Sequence, residues 1–126
     1  MPMDGPELVV REFCEAAAGR DVDRMAALLT DDVVYHNMPM DPLVGKEAAV
    51  GLLHSFIDGC DELAFDIRGL AVAGHLVLTE RVDSFVRGDQ RLDLPVMGAF
   101  EVDRGRIRAW RDYFDLGPVL GFFAPS

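Results

Sequence analysis

The chain has 126 residues, half of them apolar, and a formal net charge of -10 at pH 7. That length suits one domain, 1–126, with a substantial core and leaves no room for a second. The acidic balance excludes nucleic acid and anionic membranes as expected partners, since both need clustered Lys and Arg. No apolar run approaches membrane-spanning length, and Met-Pro-Met-Asp-Gly-Pro at the start lacks a basic region followed by an apolar stretch. A cytoplasmic protein is therefore expected, with Cys14 and Cys60 as buried reduced thiols rather than a disulfide.

Pro6 suits the first turn of a helix and Glu7 its positive end. Val9, Phe13, Ala16 and Ala17 then recur at helical spacing, and Gly19 offers a stop. Asp21 reads as the N-cap of a short second helix carrying Met25, Leu28 and Leu29. Thr30-Asp31-Asp32 is a break. Val33 to Met38 predicts a short strand, ended by Pro39 and Pro42. A third helix is predicted over Lys46 to Ile57, with Val50, Leu53, Phe56 and Ile57 on its inner side.

After Gly59 the pattern changes to strands at Leu63–Ala71, Leu76–Val86, Arg91–Val102 and Ile107–Phe114. Gly74-His75, Arg87-Gly88-Asp89 and Asp103-Arg104-Gly105 mark the turns between them. Helices followed by a run of antiparallel strands predict an α+β fold, with helices on one face of a strongly curved sheet. Such a sheet makes a cone whose mouth is a natural pocket. Alternation within Leu76–Val86 leaves both faces of that strand mixed in polarity.

One set of polar residues fits neither a core nor an ordinary surface. Tyr35 and Asn37 stand two apart in one apolar segment, Arg81 and Asp83 two apart in another, and Asp112 lies in an aromatic stretch. Residues two apart in a strand share a face, so each pair projects into one space. Taken singly, Arg81 with Asp83 reads as a surface ion pair, Asp112 as a turn cap, and Tyr35 with Asn37 as a strand-end feature. Taken together they supply two carboxylates, a guanidinium, a phenol and a carboxamide, the groups that move protons without a cofactor.

Tyr-His-Asn-Met-Pro-Met (35–40), Thr-Glu-Arg-Val-Asp (79–83) and Trp-Arg-Asp-Tyr-Phe-Asp (110–115), in this order and spacing, resemble the limonene-1,2-epoxide hydrolase family from the first helix to about Leu116. The resemblance implies a curved mixed sheet with three or four helices, the cone shared with ketosteroid isomerases and SnoaL-type cyclases, and a homodimer. It implies a small apolar epoxide as substrate, Asp83 as general acid and Asp112 as general base. Arg81 would lie between the carboxylates, with Tyr35 and Asn37 helping Asp112 hold water.

Two features depart from that pattern: Pro95 interrupts a strand, and Gly117 to Phe123 is short, apolar and glycine-bearing, suited to a lid or an interface. Alternation points His36 away from the site and sets Asp115 apart from Asp112. His54 and His75 lack metal-ligand spacing, so no metal or cofactor is expected. Trp110, Phe114, Phe100, Met38 and Met97 are candidates for the pocket wall. An isomerase or cyclase of the same fold is the nearest alternative, although the first helix carries Phe13 where ketosteroid isomerases use a Tyr. A non-catalytic small-molecule-binding module is the third.

Overall fold

A computed structural model describes residues 5–124, so most of the Met-Pro-Met-Asp-Gly-Pro start, residues 1–4, lies outside the described residues. The chain begins with α1 (Pro6–Ala18) and α2 (Val22–Ala27). Pro6 occupies the first turn of α1, where a missing N–H costs nothing, and the Asp21 carboxylate caps α2 by accepting from Arg24 N at 3.0 Å. Gly19 closes α1 with an ordinary right-handed φ. The left-handed residue is Arg20, at φ 54°, and its guanidinium donates to Cys60 O at 2.7 Å.

β1 (Leu29–Asn37) starts earlier than the Thr30-Asp31-Asp32 break implies. That segment is a bulge inside the strand, where pairing with β6 (Arg106–Tyr113) shifts register between Leu29 and Val34. β2 (Leu43–Val44) is a two-residue edge that sequence patterning does not announce. α3 (Lys46–Ile57) follows, with the boundaries expected from its periodicity.

β3 (Glu62–Ala73), β4 (Leu76–Arg87) and β5 (Gln90–Asp103) complete a six-stranded sheet of order β2-β1-β6-β5-β4-β3. β1 and β6 are parallel and the remaining neighbours antiparallel, so the sheet is mixed. Gly74, Gly88 and Gly105 take the positive φ values that the tight turns require. Pro95 pairs with Val82 on one side only, because β6 joins β5 from Met97 onward. In that stretch β5 is an edge strand, the setting in which a proline lacking its N–H is tolerated.

Three helices lie in the N-terminal half and pack on one face of the sheet. Phe13 of α1 packs edge-on against Trp110 and Phe100, all three fully buried. Each such side chain contributes about 1.5–3 kcal/mol through burial. The fourth helix, α4 (Leu116–Phe123), forms from the apolar C-terminal segment and is capped by Asp115, whose Oδ1 accepts from Gly117 N at 3.1 Å. Cys14 and Cys60 are buried and unpaired, and burial pushes the Cys14 thiol up to about 12.

The inner face of β4 carries Val77, Thr79, Arg81, Asp83 and Phe85, all buried, while Leu78 and Glu80 on the opposite face are exposed. The polar pair thus points into the cone. This is why the strand reads as mixed on both faces: its interior is partly polar by construction.

Candidate active site

Register across the sheet brings the polar residues together. Thr79 of β4 pairs with Gly98 of β5, Gly98 with Asp112 of β6, and Asp112 with Asn37 of β1. These four positions form one line across four strands. Gly98 leaves a gap in it. A Cβ there would lie 2.2 Å from Arg81 Nη1, 2.7 Å from Asp112 Oδ1 and 2.9 Å from Thr79 Oγ1. Arg81, two residues beyond Thr79, extends its guanidinium through this gap from β4 to β6.

The Arg81 side chain is fully buried. Its Nε and Nη2 donate to Asp83 Oδ1 and Oδ2, each at 2.9 Å, the parallel fork that suits a carboxylate. Nη2 also donates to Asp112 Oδ2 at 2.9 Å, and Nη1 to Thr79 Oγ1 at 3.1 Å. The rings of Phe65 and Phe100 stand 5.2 and 5.7 Å from its central carbon. Burial opposes its charge, but the Asp112 and Asp83 carboxylates outweigh that and hold its pKa well above the usual range. The surface ion-pair reading of Arg81 and Asp83 is overturned.

Burial drives the Asp83 carboxyl in the other direction. It is 3% exposed, and desolvation pushes its pKa from 3.8 up to about 6. The hydrogen bonds and charge of Arg81 pull against that rise, and the Asp112 charge adds to it. Asp112 Oδ1 accepts from Trp110 Nε1 at 2.8 Å, so both of its oxygens are held. Tyr35 stacks flat on Trp110, with centroids 4.0 Å apart and planes 3° apart. Burial, and then the Asp112 charge, raise the Tyr35 hydroxyl above its ordinary pKa, with the Asn37 side chain opposing. Tyr35 therefore stays protonated and able to donate.

Tyr35, Asn37, Asp83 and Asp112 open into one cavity of about 400 Å³, and Arg81 lies behind the carboxylates. Apolar residues dominate the rest of the lining, which draws on α3, α4 and the sheet. Of the expected wall residues, Phe114 lines the cavity. Phe100 and Trp110 are closed into the core, and Met97 is half-exposed on the opposite face. Met38 is absent from the lining; its N–H donates to Asp112 O at 2.8 Å. Trp110 and Phe100 share the inner face of the sheet but are covered by Phe13 of α1, where the cone is packed solid. His36 turns away, its Nε2 2.9 Å from Met40 O.

Sequence reasoning missed Thr79, Gly98 and the Trp110 donor. It also missed Arg87, which lines the cavity beyond Phe85. Thr79 carried the one available signal, sharing a strand face with Arg81 and Asp83.

A curved mixed sheet closed by helices around an apolar cavity is the cone of SnoaL-like and NTF2-like proteins. A protein described as a SnoaL-like polyketide cyclase from Shewanella denitrificans superposes with TM-score 0.81 over 96% of both chains at 15% identity, a likeness of fold alone. Residues 5–123 match the model of the limonene-1,2-epoxide hydrolase catalytic domain. Epoxide hydrolase EphG of Mycobacterium tuberculosis is 38% identical over 107 residues, 85% of this chain and 71% of that protein. An LEH-like epoxide hydrolase structure from M. tuberculosis superposes with TM-score 0.80 at 34% identity over 96% of both chains. The chain belongs to the limonene-1,2-epoxide hydrolase family and is an epoxide hydrolase of that type.

The gap at Gly98 yields a test. Gly98→Ala should lose roughly 1–3 kcal/mol of stability through overpacking. It should also lower kcat by about 10²-fold or more as the guanidinium is displaced from Asp112. Thermal melts and steady-state assays read the two effects; a variant with normal kcat would show that Arg81 does not need this path.

Proposed function

We propose that this chain, acting as one domain, adds water to an apolar epoxide in a single general acid–base step and releases a vicinal diol. The observation that carries this reading is one buried guanidinium spanning two carboxylates that both open into the same apolar cavity. Asp83, whose pKa burial raises, supplies a proton to the ring oxygen as that C–O bond breaks. Asp112 takes a proton from the water whose oxygen bonds to the ring carbon. Tyr35 and Asn37 flank Asp112 at the cavity wall and orient that water. With Asp83 neutral, Asp112 anionic and Arg81 cationic the cluster sums to zero, which limits the cost of burying it. After turnover the two carboxylates have exchanged protonation states, and one proton returns through solvent before the next cycle.

A homodimer belongs to the same proposal. Leu78, Met97 and Tyr113, 41%, 50% and 48% exposed, lie on the outer face of the sheet, away from the cavity. A cytoplasmic location is supported by the two unpaired thiols, which suit a reducing compartment.

Asp83→Asn and Asp112→Asn should each lower kcat by about 10²–10⁴-fold while the protein stays folded. Arg81→Lys should fail too, because an ammonium cannot hold two carboxylates with a planar fork. Diol formation from a neutral epoxide, with double-bond shift in a Δ5-3-ketosteroid as the control, reads these variants. More than about a tenth of wild-type rate would remove that residue from the role, since a single catalytic group is worth more than this.

The pH profile has a defined sign. Asp83 acts in its protonated form, so kcat/KM should fall about tenfold per unit as pH rises above about 6. The folded pKa is raised, so the native state binds more protons than the unfolded chain between 3.8 and about 6. The stability contributed by this group is accordingly full below that window and lost as pH climbs through it. Melts at pH 4 to 8 should show the slope in the wild type and a shallower one in Asp83→Asn; identical slopes would contradict the assignment.

Direct attack by water also predicts the origin of the product oxygen. In a single turnover with excess enzyme in ¹⁸O-water, the first diol should carry the label. Unlabelled diol would mean that a carboxylate attacks the ring and its ester is then hydrolysed.

A further inference from the structure

The cavity has a second charged end that the acid–base step does not use. Asp83, Phe85 and Arg87 alternate onto the same face of β4, so Arg87 lies four residues, about 13 Å, along the strand from the acid. Exposure increases in that direction. Asp83 is buried, Arg87 is half-buried, and the turn at Gly88, Asp89 and Gln90 is exposed. Arg87 therefore stands toward the mouth. Between the two ends the wall is apolar, with Phe56, Phe85, Leu94 and Phe123. Among the described residues the charged ones lining the cavity are Asp83, Asp112 and Arg87, so the positive charge among them faces the end remote from the carboxylates.

Arg87 is not consumed by its own contacts. Its Nη2 donates to Phe122 O and, at 3.5 Å, to Gln90 Oε1. Its guanidinium lies 5.0 Å from the ring of Phe122 and 5.9 Å from that of Phe123, both on α4. Among the described residues no carboxylate comes within ion-pair distance, and Nε and Nη1 donate no hydrogen bond. The remaining N–H groups of a planar, permanently charged fork are thus left for a ligand, beside aromatic walls that weaken competition from water.

We propose that the cavity selects epoxides whose apolar chain ends in a carboxylate, with Arg87 gripping the carboxylate while the oxirane lies at Asp83 and Asp112. This rests on the epoxide hydrolase reading and names its substrate class. The chain would lie against Phe85, Leu94 and Phe123, and the fixed separation along β4 sets the spacing between carboxylate and oxirane. A charge-assisted fork at the mouth also offsets the repulsion that a chain of net charge -10 exerts on an anion. The rival role for Arg87 is purely mechanical, as a latch holding α4 through Phe122 O. A latch would serve acids and esters alike.

The test uses matched epoxy-alkanoic acids and their methyl esters, in a series that varies the carboxylate-to-oxirane spacing, with wild type, Arg87→Gln and Arg87→Lys. In the wild type the acid should exceed its ester in kcat/KM by roughly ten- to a hundredfold, the worth of hydrogen bonds to a charged group. The preference should peak at one spacing. Arg87→Gln should collapse the acid-to-ester ratio toward one, and Arg87→Lys should restore part of it. A wild-type ratio near one, or a ratio unchanged in Arg87→Gln, overturns the proposal. Calorimetric titration with decanoate and with methyl decanoate reads the anchor without turnover. Tighter binding of decanoate that is lost in Arg87→Gln supports the anchor even if no epoxide is hydrolysed, and that failure would strike the hydrolase reading alone. Equal binding of decanoate by wild type and variant overturns the anchor whatever the turnover shows.

Discussion

The interaction on which the rest of this structure depends is the passage of the Arg81 side chain through the gap at Gly98. A guanidinium fixed on β4 reaches a carboxylate on β6 only because the intervening strand presents no side chain there. The sheet must bring Thr79, Gly98 and Asp112 into one line, and the cone must close over them so that the charges are desolvated. Burying an ion cluster is expensive, and it persists here because every Arg81 nitrogen has an acceptor and Asp112 has a second donor in Trp110.

The same closure makes two carboxylates of one chemical type unequal. Asp83 sits where desolvation outweighs the pull of Arg81, and its pKa rises. Asp112 receives a hydrogen bond from an indole and another from the guanidinium, so both of its oxygens are held by donors. The packing that orders this cluster also supports the phenol beside it: Trp110 is clasped by Phe13 on one side and Tyr35 on another. Core and site are therefore one body. The cavity between α3, α4 and the sheet is where that packing stops.

The elements differ in how plainly they can be read. The Lys46–Ile57 helix and the four long strands follow from local periodicity and turn residues, which act over a few neighbours. β1 reads short because Thr30-Asp31-Asp32 looks like a loop, yet the bulge keeps it in the sheet through pairing with β6, more than seventy positions away. β2 exists only as the partner of Val34 and Tyr35. The segment at 117–123 reads only as short, apolar and glycine-bearing, suited to a lid or an interface, with no helix announced. Its helix is fixed by the Asp115 cap and by Phe122 and Phe123 packing on Phe85. Met97 and Phe114 look equivalent as apolar strand residues, and the register of the sheet separates them: Met97 pairs with Glu80 and Tyr113 on the outer face, whereas Phe114 lines the cavity.

The sequence by itself determined which chemical groups the site has. Tyr35, Asn37, Arg81, Asp83 and Asp112 announce themselves because polar residues two apart in apolar strands share a face, and that rule needs no tertiary information. Tertiary structure alone decided what surrounds them. The empty place at Gly98, the Trp110 donor on Asp112, the raised pKa of Asp83 and the guanidinium of Arg87 at the cavity mouth all arise between strands or between sheet and helix. Hydrogen-bond register and desolvation are set by which segments meet in space, and neither is encoded in the spacing of residues along one strand.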